Sequence, residues 1–110
     1  MVQEIIGKSG AFILDFKNIH GSGWDDDLQK IIEKYLNPIK LSKRIVEQSW
    51  DYSEKEFDLE KDNIKFILHL DDDVSPYFSL KKENITLNSK EKLREWATIV
   101  DIEIEKLKNS

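Results

Sequence analysis

The chain has no cysteine among its 110 residues, and only two prolines, four glycines and two histidines. Without thiols there is no disulfide framework, no thiolate zinc site and no cysteine nucleophile. His20 and His69 are the whole supply of imidazole, the commonest general base and metal ligand. No G-x-S-x-G stretch sets up a nucleophilic serine. Gly7-Lys8-Ser9-Gly10 has no earlier glycine, so the G-x-x-x-x-G-K-S spacing of a phosphate loop is missing. Gly21-x-Gly23 is followed by aspartates that repel phosphate. No apolar run approaches the roughly 18 residues of a membrane span. Residues 1–12 carry one lysine and no long apolar stretch, which does not read as a signal peptide, and the expected location is the cytoplasm.

Bases are also scarce: 17 Lys and Arg stand against 22 Asp and Glu, for a net charge of −5. An acidic balance argues against nucleic acid, whose binders need a basic face to displace counterions. It argues equally against anionic membrane surfaces and fits a basic protein partner. Three Trp, three Tyr and five Phe set the chain apart from disordered sequences. At this length, residues 1–110 are expected to form a single domain.

Residues 2–6 and 11–16 read as short strands, the second bounded by Gly10 and the Gly21-Ser22-Gly23 loop. Asp25, Asp26 and Asp27 supply a cap and favourable charge to a helix with the apolar stripe Leu28, Ile31, Ile32, Tyr35 and Leu36. Asn37 followed by Pro38 ends it. A strand over residues 44–52 puts Val46, Gln48, Trp50 and Tyr52 on one face and Ile45, Glu47, Ser49 and Asp51 on the other. A turn at Ser53 and Glu54 leads to a strand over 56–60 with Phe57 and Leu59 inward. Asp62-Asn63 marks a tight turn. Residues 64–70 form the strongest strand, with Ile64, Phe66, Leu68 and Leu70 pointing one way, and residues 77–80 a shorter one. A final helix, capped by Asn88 or Ser89 with Glu91 in a capping box, carries Leu93, Trp96, Ala97, Val100, Ile104 and Leu107 inward. The expected fold is α+β: an antiparallel sheet of four to five strands with two helices packed on one face.

The charge is unevenly spread. Residues 47–73 hold ten acids against three bases, a net −7, so the remainder of the chain sums to +2. Glu47, Asp51, Glu54, Glu56, Asp58, Glu60, Asp71, Asp72 and Asp73 are therefore the expected partner-binding surface, with Trp50, Tyr52 and Tyr77 as aromatic anchors. Strand alternation places Glu54, Glu56, Asp58 and Glu60 on one face. The run Asp71–Asp73 lacks the alternating ligands and the twelfth-position glutamate of a calcium loop, so no metal is expected there. His69 reads as an exposed or half-buried strand residue, and His20 as a loop residue.

A small acidic chain with the order strand, helix, strand meander, helix resembles the bacterial immunity proteins that neutralise nuclease toxins, including those of contact-dependent growth inhibition. The resemblance covers most of the chain in size, charge and element order, and transfers no residue's role. It implies a cytoplasmic, non-catalytic binding protein without cofactor or metal, whose partner is a cognate basic toxin domain rather than nucleic acid or membrane. The alternatives are an adaptor or homodimeric assembly domain, using Ile99 and Ile102 or a sheet edge, and a small metal- or ligand-binding protein using His69 with the Asp71–Asp73 loop.

Overall fold

The structure, a computed structural model, describes residues 2–20 and 23–110. Met1, Gly21 and Ser22 lie outside the described residues, and with them part of the expected glycine loop. The elements are β1 (Gln3–Ile6), β2 (Phe12–Asp15), α1 (Asp25–Tyr35), β3 (Ile39–Ser49), β4 (Tyr52–Lys61), β5 (Ile64–Asp71), β6 (Tyr77–Leu80) and α2 (Leu87–Lys108). The strands form one antiparallel sheet in the order β1-β2-β6-β5-β4-β3. The sheet has six strands, not four to five. Residues 3–6 form a strand, and β2 lies between it and β6, so the two N-terminal strands extend the meander.

Register explains the layering. Phe57, Leu68, Phe78 and Leu14 stand opposite one another across β4, β5, β6 and β2, as do Leu59 and Phe66, and Leu80 and Phe12. All are buried. Both helices cover this face. From α1 come Leu28, Ile31 and Ile32; from α2 come Leu93, Trp96, Ala97, Val100 and Ile104. Phe78 meets Phe16 and Phe66 edge to face, at centroid distances of 5.1 and 5.3 Å, and Phe66 meets Trp96 at 5.4 Å. Such aromatic contacts add roughly 0.5–1.5 kcal/mol each beyond the area they bury. Lys55 from β4 pairs with Asp25 at the start of α1, and Arg94 of α2 with Glu4 of β1, which pins the helices at the two sides of the sheet.

Several local expectations change. The N-cap of α1 is Trp24, with no side-chain cap; Asp25, Asp26 and Asp27 occupy the first turn, where their charge still favours the positive helix end. Thr86, not Asn88 or Ser89, caps α2: its side chain accepts from the Ser89 N–H at 2.9 Å, and the Ser89 hydroxyl accepts from the Thr86 N–H at 2.8 Å. Leu107 is exposed instead of joining the α2 stripe. Asp62 and Asn63 both adopt positive φ, 51° and 64°, as a tight hairpin of primed type requires.

The largest departure is in β3. It starts at Ile39 instead of Arg44, and its hairpin with β4 turns at Trp50 and Asp51 instead of Ser53 and Glu54. Register shifts fall between Lys40 and Ser42 and between Ile45 and Glu47. A bulge breaks strict alternation by letting two residues face one. Uninterrupted pairing from the turn would set Ile45 against Glu56. The bulge at Val46 instead sets Ile45 opposite Lys55 and Arg44 opposite Glu56. Ile45 and Glu47 therefore do not share a face.

Candidate functional site

The face of the sheet away from the helices carries most of the chemistry. One row crosses all six strands in register: Gln3, Asp15, Tyr77, His69, Glu56 and Arg44. Beside it, toward the hairpin tip, Glu47, Glu54 and Asp71 stand in register across β3, β4 and β5. On the other side Ser42, Asp58, Ile67, Ser79 and Ile13 continue the pattern.

Arg44 joins two of the acids. Its guanidinium donates to Glu56 Oε1 at 3.0 Å and also to Asp58, which accepts a further bond from the Ser42 hydroxyl. Arg44 was not among the expected site residues. The signal for it is the bulge, which no local pattern announces.

His69 is buried, at 6% exposure, which corrects the exposed or half-buried strand position expected for it. Its ring stacks on Tyr77, with centroids 4.5 Å apart and planes 9° from parallel. Nδ1 lies 3.0 Å from Glu56 Oε2, and Nε2 lies 3.2 Å from Glu54 Oε2. The Tyr52 hydroxyl donates to Glu54 Oε1 at 3.4 Å. His20, by contrast, is exposed in the loop after β2.

The electrostatics follow from these contacts. Burial pushes the Glu56 carboxyl up, but hydrogen bonds from His69 and Arg44 outweigh it and hold the group below its ordinary value. The Arg44 hydrogen bond, against some desolvation, lowers Asp58 in the same way. Tyr77 is pushed up to about 12, first by burial and then by the charges of Glu56, Glu54, Asp71 and Asp15. Asp71, and then burial and the other neighbouring acids, hold the Tyr52 hydroxyl above its ordinary value. Two phenols thus register a negative field over this face.

The nine expected partner-binding acids divide into groups. Glu54, Glu56, Asp58 and Glu60 do share the open face with Asp71, all partly buried. Asp72 serves the loop after β5: its carboxylate accepts the Ser53 backbone N–H at 2.8 Å. Asp71 Oδ1 accepts the Asp73 N–H at 2.9 Å, and Asp73 is exposed. Glu47 and Asp51 lie exposed near the hairpin tip, beside Trp50. Of the three aromatic anchors, Trp50 is 96% exposed, whereas Tyr52 and Tyr77 are part-buried among the acids. A cleft of about 650 Å³ opens on the same face, bordered by Lys8, Ser9, Arg44, Glu56, Tyr77 and Lys81. Gly7-Lys8-Ser9-Gly10 is the β1–β2 turn at its rim, closed by the Gly7 N–H donating to the Ala11 carbonyl at 2.8 Å.

No helix among the described residues is long and apolar enough to cross a membrane. Comparison with protein-family models, with curated proteins and with solved structures finds no match to this chain.

Proposed function

We propose that this chain is a non-catalytic binding protein, an immunity-type inhibitor that neutralises a basic toxin domain by docking it on the β3–β4 hairpin and the adjoining acidic face. The observation that carries the reading is Trp50, 96% exposed at the hairpin tip. Nothing in the packing of the domain requires a tryptophan there. Ten of the eleven β3 residues leading to it are exposed as well. Trp is enriched among the residues that dominate interface energies when a partner buries them. Glu47 and Asp51 flank it and give the tip a negative charge that steers a basic surface toward it. Glu54, Glu56, Asp58, Asp71 and Asp72 are engaged within the fold, so the docking charges are Glu47, Asp51 and Asp73.

The test is inhibition of a nuclease-toxin domain encoded beside this chain. Wild-type protein should block cleavage at stoichiometric concentration, and association should slow as salt rises. Trp50→Ala, and Glu47→Lys with Asp51→Lys, should lose inhibition while melting at the wild-type temperature. Equal inhibition by all of these variants refutes the docking site. Absence of protection by the wild-type protein refutes the function.

A second reading, a homodimeric assembly domain, rests on β3 as an edge strand. Ile39, Leu41 and Ile45 are exposed along it, and edge strands pair with further strands. On α2, Ile102 is exposed while Ile99 packs against the core, so the two do not form one apolar docking patch. A monomer by light scattering at high concentration rejects this reading.

A further inference from the structure

We propose that Glu54, His69 and Asp71 form a binding site for one divalent transition-metal cation of the zinc class. One ligand atom from each of the three, a carboxylate oxygen or an imidazole nitrogen, lies within 4.8 Å of the others. Around a tetrahedral zinc with bonds of about 2.0–2.1 Å, ligand atoms sit about 3.4 Å apart. The set therefore needs to contract by little more than an ångström, a distance that side-chain rotation of two carboxylates covers.

The backbone already holds the three together. His69 and Asp71 are two residues apart on β5 and so share a face, and Glu54 stands directly opposite Asp71 on β4. Paired strands give a more rigid platform than a loop. The sequence points to a protein without metal or cofactor, with a metal- or ligand-binding protein built on His69 and the Asp71–Asp73 loop as an alternative. A buried His69 at its edge, with Glu54 across the ladder, changes the donor set.

His69 Nδ1 lies 3.0 Å from Glu56 Oε2, and Glu56 is itself held by Arg44 at 3.0 Å. In the tautomer whose Nδ1–H donates to Glu56 Oε2, the Nε2 lone pair faces the side where Glu54 stands, at 3.2 Å. A metal-ligating histidine characteristically gives its other ring N–H to a carboxylate, which sets the tautomer and the ring orientation. Stacking on Tyr77 fixes the ring plane. Tyr52 holds the second oxygen of Glu54, leaving Oε2 for the cation.

Glu47, Glu54 and Asp71 face one another across three strands, and like charges directly opposite in a sheet destabilise it. A divalent cation among them removes that repulsion. The class of ion follows from the donors: an imidazole with two carboxylates suits zinc and its first-row neighbours, whereas magnesium and calcium favour oxygen-only sets of six or more. Three protein ligands leave a fourth position for water or for Glu47.

The alternative is a closed ion-pair network in which a doubly protonated His69 bridges Glu54 and Glu56 and no metal enters. Calorimetric titration of metal-free protein with ZnCl2, with MgCl2 as the control, separates the two. The expected result is one zinc per chain, a higher melting temperature with about 1 mM ZnCl2, and no response to MgCl2. Glu54→Gln with Asp71→Asn should abolish the binding. Glu56→Gln should weaken it about 10–100-fold at unchanged stoichiometry. CoCl2 should give a visible absorption band that the double variant lacks. No heat and no thermal shift with wild-type protein overturn the site, as does zinc binding to the double variant with wild-type affinity. Neither result depends on whether a toxin is bound.

Discussion

The His69 and Tyr77 rings lie face to face across neighbouring strands, 4.5 Å between centroids. The stack shields the imidazole and holds its nitrogens toward Glu54 and Glu56. Tyr77→Phe keeps the ring and should change stability by less than about 0.5 kcal/mol. Tyr77→Ala should cost about 2 kcal/mol and should shift the NMR signals of the His69 ring protons. Urea unfolding and a proton–carbon correlation spectrum of the imidazole check the pair.

Removing the imidazole should be worse than removing its partner. His69→Leu in metal-free protein leaves Glu54 and Glu56 together on a part-buried face without the group between them. The expected loss is about 2–4 kcal/mol. Adding Glu56→Gln to His69→Leu should restore part of it. A double-mutant cycle by denaturant unfolding measures the coupling, and additive effects would show that the two residues act separately.

Acid should destabilise the open face through Glu56 and Asp58. Burial raises Glu56, but bonds from His69 and Arg44 bring it below its ordinary 4.5, and the Arg44 bond brings Asp58 below its ordinary 3.8. A carboxyl lowered in the folded state contributes stability that is complete above its unfolded value and is lost as pH falls through its folded one. For these groups the melting temperature should therefore hold steady down to roughly pH 5 and decline below it. Arg44→Met should cost about 1 kcal/mol near neutrality and flatten the acid limb. Melting curves at stepped pH provide the comparison.

Alkali reads the same field from the other direction. Tyr77 should ionise near 12, later than a free phenol, because burial and the surrounding carboxylates oppose the phenolate. Glu54→Gln with Glu56→Gln should bring that titration down. The phenolate absorbance of wild-type and variant protein, each compared with its Tyr77→Phe counterpart, isolates the one group.

Alternation and turn chemistry made much of the fold readable from the sequence. Ile64, Phe66, Leu68 and Leu70 alternate along β5 and are all buried; Asp62-Asn63 turns the chain as those residues do; Leu93, Trp96, Ala97, Val100 and Ile104 follow the helical period into the core. Glu54, Glu56, Asp58 and Glu60 fall on one face because β4 runs without interruption there. Arg44 was not readable, because its position opposite Glu56 depends on an extra residue at Val46 that has no composition of its own. The burial of His69 was not readable either. It arises from Tyr77 and Glu56 on two other strands, contacts that exist only once the register is set. The same holds for Thr86, whose role as cap depends on where the chain leaves the preceding turn.

The two irregularities in β3 also bear on colloidal behaviour. A long outermost strand carrying Ile39, Leu41 and Ile45 in the open is a template on which another copy can grow. Offsets at Leu41 and Val46 spoil its spacing, and Lys40 and Lys43 add repulsion between like copies. Deleting Val46 would keep every remaining partner across the ladder yet remove one of the two offsets. The resulting chain should fold as before and polymerise sooner, as thioflavin fluorescence over time would read, with one valine acting as a guard against fibrils.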